Sequence, residues 1–208
     1  MSRPGSAAMK PAEQRAFAGI RTELDRVVRY DDESIVNAMW IRQRYDCGCY
    51  PTFAPARTQA VETAWHEAGH AVAALTVGAR FSSASIHHAC GKEGRVHGIR
   101  GASDRAFVID AAGQIAERLR TWSMLERDED LRAWLPTWKS DGGDARRFRK
   151  TLGQRFGSDE CAAWRYSERL LTPQRLKIRA VARALLMHPR YLPYAVVSAI
   201  ADVNGGGG

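Results

Sequence analysis

Apolar residues recur every third or fourth position along most of this chain, and stretches that alternate every second position are few. The first periodic stretch, 11–30, puts Phe17, Ile20, Leu24, Val27 and Val28 on one face among charges, which predicts an amphipathic helix. A second helix is expected from Asp31 or Asp32, acidic residues suited to a helix start, with Ile35 and Met39 on its apolar side. Together they read as a helical hairpin. From Asp46 to Pro55 a glycine and two prolines interrupt the pattern and predict a linker. The expected organisation is therefore a helical N-terminal extension and linker over 1–57, a main domain over 58–204 and a glycine tail over 205–208.

Within the main domain an alanine-rich helix is expected over 58–77, closed by Gly78. Residues 81–88 and 95–99 alternate as two short strands, a hairpin turning at 90–94. Ser103 or Asp104 should cap a helix reaching Thr121, with Phe107, Val108, Ala111, Ala112, Ile115 and Leu119 as its apolar stripe. A short helix and a loop follow over 124–138. Further helices are expected from 139–144 to Phe156, over 159–171, from Thr172 with Pro173 in the first turn to Met187, and over 190–202. The fold class is mainly α, with one small β-hairpin.

The 208 residues, 45% of them apolar, suffice for a sizeable core, and the 9% aromatic content favours helix over sheet. The net charge of +8 is uneven: 139–183 holds twelve Lys or Arg against five Asp or Glu. Such a segment attracts nucleic acid or an acidic partner, but no nucleic-acid motif accompanies it, so solvated helix faces are the expected reading. Four cysteines make no disulfide framework here, and Cys47-Gly-Cys49 has no second pair to complete a zinc site. There is no apolar leader and no run near the roughly 20 apolar residues that span a bilayer. A soluble, cytoplasmic protein is expected.

The chemistry lies in Thr63 to Leu75, T-A-W-H-E-A-G-H-A-V-A-A-L. His66 and His70 differ by about 400° around a helix, so both imidazoles leave one face a turn apart, within reach of one ion. Glu67 then stands beside the metal rather than on it, placed to take a proton from a zinc-activated water. Catalytic zinc takes three protein ligands, so a third is required. Candidates are His87, His88, His97, Asp141, Asp144 and carboxylates further on. Asp144 stands out because two glycines precede it at the start of a helix, although an ordinary helix cap sits in the same kind of place. Glu117, near the stripe of its helix, is a candidate acceptor for a histidine's free N–H or a partner for an arginine.

The string E-T-A-W-H-E-A-G-H-A-V-A-A-L resembles the motif helix in the peptidase domain of the FtsH-type ATP-dependent zinc metalloproteases. The segment Ile109-Asp110-Ala111-Ala112-Gly113-Gln114-Ile115-Ala116-Glu117 is similar to that family's A-G-x-x-A-E helix, and Gly142-Gly143-Asp144-Ala145 falls where it has a turn ending in a zinc-binding aspartate. The resemblance covers about 58–156. It implies a helical zincin-type metallopeptidase domain with Zn2+ on His66, His70 and Asp144, and Glu67 as general base. The chain departs from the family in lacking a phosphate-binding G-x-x-x-x-G-K-[ST] loop and membrane helices, and in having Asp141-Gly142-Gly143 before the aspartate.

The expected function is thus a zinc-dependent endopeptidase for flexible or unfolded protein segments, without an ATPase of its own and served by a separate ATPase or adaptor if one acts. Two rivals are a regulatory protease specific for one repressor or partner, and a non-catalytic basic module that holds nucleic acid or protein on the same fold.

Overall fold

The computed structural model describes residues 9–27, 31, 32, 34, 35, 54–86, 94–102, 104–138, 143–188 and 191–203, without the side chains of 27, 54–58 and 154. Helix α1 spans Pro11–Val27 and α2 spans Ala54–Thr76, followed by strands β1, Ser83–Ser85, and β2, Arg95–His97. Helices α3, Ala106–Thr121, and α4, Asp128–Trp134, lead through a 3-10 turn to α5, Asp144–Thr151, and α6, Gly153–Phe156. Then come α7, Glu160–Leu171, α8, Arg175–Met187, strand β3, Leu192–Pro193, and α9, Tyr194–Val203. The fold is mainly helical with a small sheet.

Helix α2 lies in the middle because its sequence lets neighbours close in. It packs along α3 on one side and α8 on another. Ala64, Ala68, Ala71, Val72, Ala73 and Ala74 are all buried. At Gly69 even a Cβ would stand 2.4 Å from the Ala112 carbonyl oxygen and 2.6 Å from the Ala116 Cβ, so glycine sets the α2–α3 separation. The stripe expected on α3 is buried from Phe107 to Leu119, and α3 packs in turn on α5 and α7.

Aromatic rings brace the start of α5. Trp138 lies 5.5 Å from Phe148 and 5.2 Å from Trp164, and Trp134 lies 5.0 Å from Trp164, centroid to centroid. The buried Trp164 indole N–H donates to Glu168 at 2.8 Å, so the cluster leaves that polar atom satisfied. At the other end of the fold α1 packs on α8 and α9, with Ile20 buried in the same core as Trp65 and Ile178. Asp32 joins two helices: it accepts from the Trp65 indole and from Arg183, each at 2.8 Å.

Several boundaries differ from expectation. Helix α2 begins at Ala54, inside the expected linker, because Pro55 falls in the first turn, where its missing N–H costs no hydrogen bond. Helix α3 begins at Ala106 without a side-chain cap. The helix expected through Phe156 is broken at Leu152 into α5 and α6. Thr172 does not cap α8: its hydroxyl donates back to Glu168 O at 2.8 Å, and 172–174 form a 3-10 turn. Asp159, by contrast, caps α7 by accepting from Ala162 N at 2.9 Å.

The expected hairpin is two strands of a three-stranded antiparallel sheet in the order β2-β1-β3, with Ser83 opposite both His97 and Pro193. Strand β3 replaces the start of the helix expected from 190. The second N-terminal helix beyond Ile35, the linker up to 53, Cys47, Cys49, Cys90, His87, His88, Asp141, Ser103 and the glycine tail lie outside the described residues. Among those described, no helix is long and apolar enough to cross a membrane.

Candidate metal centre

Helix α2 presents His66 and His70 one turn apart, and α5, which like α2 packs on α3, brings Asp144 to meet them. Nε2 of His66 lies 3.0 Å from Nε2 of His70 and 3.1 Å from Oδ2 of Asp144, with 3.4 Å between His70 Nε2 and the same oxygen. These three atoms form a group able to hold a metal ion, the arrangement expected from the motif and its resemblance. His97 is not part of it; exposed on β2, it lies 3.4 Å from the Ser85 hydroxyl.

Why Asp144 arrives there is local. Gly143 takes a left-handed conformation, φ 79°, which few side-chain-bearing residues adopt, and turns the chain straight into α5. Asp144 is then the first helical residue, and Phe148 one turn later anchors the helix in the aromatic cluster. Oδ1 of Asp144 is held by Arg147, whose Nε also donates to Asp110 at 3.1 Å. Thr151 donates to the other oxygen of Asp110 at 3.0 Å. Oδ2 is thereby left to the histidines. The Asp110–Arg147 pair was not foreseen: in an arginine-rich chain nothing in the sequence singles out one pairing.

The back of the site is one face of α3. Nδ1 of His70 donates to the Ile109 carbonyl at 2.6 Å, and Nδ1 of His66 donates to Glu117 Oε1 at 2.6 Å. A carbonyl and a carboxylate only accept, so each Nδ1 carries a proton and each Nε2 is the nitrogen turned inward. Gln114 donates to the other Glu117 oxygen at 2.7 Å and steadies it. Glu117 was readable as a candidate acceptor; the Ile109 carbonyl, being backbone, carried no signal.

Two inward Nε2 atoms and a carboxylate oxygen this close together are held by positive charge between them, a shared proton or a metal ion that displaces it. Three ligands of a tetrahedral zinc at about 2.0–2.1 Å stand about 3.3 Å from one another, and the observed 3.0 to 3.4 Å separations surround that value. The electrostatics agree. Burial alone would lower the His66 pKa, but hydrogen bonds to Asp144 and Glu117, with the Glu67 and Glu117 charges, hold it at about 10. Burial would also raise Asp144, yet its contacts with His66 and His70 hold it well below the usual carboxylate range. This pocket therefore favours positive charge between its donors.

Glu67 is 6% exposed, and burial pushes its carboxyl above the ordinary value against the pull of His70, His66 and Arg95. Among the described residues no donor hydrogen-bonds it. It lies against Gly94, where a Cβ would come within 2.2 Å of Cγ, so only glycine leaves room for the glutamate just before β2. His66 keeps 21% of its side chain exposed, so the centre is open on this side. Compared with family models, curated proteins and solved structures, the chain matches none of them.

Proposed function

We propose that the chain is a zinc-dependent endopeptidase that hydrolyses peptide bonds in flexible or unfolded protein segments. The observation that carries the reading is the convergence of His66, His70 and Asp144, with the buried carboxylate of Glu67 beside them and no donor on it among the described residues. Two imidazoles and one carboxylate are a donor set suited to zinc, and three protein ligands leave a coordination position open. The H-E-A-G-H string and its neighbours support kinship with FtsH-type peptidases.

Bound there, zinc supplies a Lewis acid that polarises a carbonyl and makes water a nucleophile near neutral pH. The chain's residues supply the rest. Glu67 takes the proton of the attacking water and returns it to the leaving nitrogen, and its raised affinity for a proton suits a group that must hold one in mid-reaction. Glu117 and the Ile109 carbonyl keep the two imidazoles aimed, and Arg147 keeps Asp144 turned towards them. Strand β2 ends the sheet next to Glu67, and an extended peptide added along it would be held by its backbone with little regard for sequence.

The test is zinc content and casein cleavage of the purified protein beside Glu67→Gln. The variant should retain stoichiometric zinc and lose cleavage by at least about a hundredfold. Equal cleavage by the variant overturns the assignment.

A further inference from the structure

A second polar cavity, of about 490 Å³, shares no lining residue with the metal centre. Arg120 of α3 and Arg175 and Arg179 of α8 line it, with Trp65 of α2 and the acidic pair Asp31 and Asp32. Its lining carries three arginines against two aspartates, and both aspartates already accept hydrogen bonds. Asp32 accepts from Arg183 and from the Trp65 indole, one with each oxygen, and Asp31 accepts from the backbone N–H and the hydroxyl of Ser34.

The three arginines are poorly compensated. Arg179 and Arg175 have no carboxylate within ion-pair distance among the described residues. Arg175 is held in place by its Nε donating to Leu119 O at 2.9 Å and by Trp122, whose ring centre lies 4.4 Å from the guanidinium. That leaves its terminal nitrogens for a ligand. Among the described residues Arg120 pairs only with Glu62, at 3.4 Å, and its Nε is buried without a partner. Burial first, then the charges of Arg183 and Arg175, lower Arg179, and Asp32, already paired with Arg183, answers this positive field only in part.

Guanidinium forks in partly desolvated walls match the oxygens of a carboxylate or a phosphate, and three of them converging suit the greater charge and third free oxygen of a phosphate. The volume lies within the range of small-molecule sites and exceeds what a free phosphate fills, and Val61 and Trp65 offer an apolar wall for the remainder. We infer that this cavity binds a small phosphomonoester, its phosphate held by Arg120, Arg175 and Arg179. This site is independent of the peptidase reading. Trp65 precedes His66 directly, so ligand here lies against the backbone of the motif helix.

Isothermal titration of the zinc-loaded protein at low ionic strength tests this, with inorganic phosphate and adenosine 5′-monophosphate as separate probes. Both should bind, the nucleotide more tightly. Arg179→Gln and Arg175→Gln should each weaken binding about tenfold or more, and Arg146→Gln, on exposed α5 surface, should leave it unchanged. Arg179→Lys keeps the charge without the fork; it should bind less tightly than wild type, and it stands in if Arg179→Gln fails to fold. No binding of either probe overturns the site, as does binding that the cavity variants do not weaken. Binding of inorganic phosphate alone overturns the monoester.

Discussion

Gly113 lies under the ring of His66 so closely that a Cβ there would stand 2.4 Å from Nε2 and 2.5 Å from Cε1. The residue that leaves room for the metal-facing nitrogen is therefore on α3, not on the motif helix. Gly113→Ala should push the imidazole aside and weaken zinc binding by about 10- to 100-fold, the scale seen when support around a ligand is lost. Competition with a chromophoric chelator measures it. Gly153→Ala, with no atom within 4 Å of the added carbon, should leave zinc affinity unchanged.

Glu117 should reveal itself through a graded pair. Glu117→Gln keeps an oxygen to accept from His66 Nδ1 but loses the charge, whereas Glu117→Ala loses both. Zinc affinity is expected to fall in the order wild type, Gln, Ala, reaching about 10- to 100-fold for Ala. Equal affinity in all three would mean that His66 needs no outside support.

Asp144→Ala removes a ligand and should abolish stoichiometric zinc in metal analysis. Arg147→Ala leaves the ligand but frees its other oxygen and strips Asp110 of its ion pair. Intermediate zinc affinity is the expected result, with helical content retained. Full occupancy in Asp144→Ala would show that the third ligand lies elsewhere.

Cys161 is 5% exposed, and burial, helped by the Asp128 charge, raises its thiol pKa above the ordinary value. Less thiolate is then present at a given pH, so alkylation should be slow at neutral pH and speed up only as pH rises through that higher value. Mass mapping of iodoacetamide adducts on the native protein checks this. Rapid labelling at Cys161 at pH 7 would contradict the packing around α7.

What could be read in advance divides along physical lines. The α3 stripe from Phe107 to Leu119 was plain because one repeated period encodes one buried face. His66 and His70 were plain because their spacing is itself the geometry. Asp144 was one carboxylate among several candidates on chemical grounds; the resemblance selected it, and the fold brings it within 3.1 Å of a residue 78 positions away. Strand β3 was invisible, since two residues, one of them proline, have no period. Pro55 misled because a helix breaker inside a helix is a harmless residue in its first turn.

Proline has a further consequence in the sheet. Pro193 lies opposite Ser83 on the β3 edge and has no N–H, so a strand from another molecule finds a donor missing where it would need to dock. The opposite edge, β2, keeps its donors but carries the exposed Arg95. Like charges on two such edges repel. Among the described residues the sheet therefore has one edge where an added strand lacks a donor and one where a second copy of the same strand meets like charge.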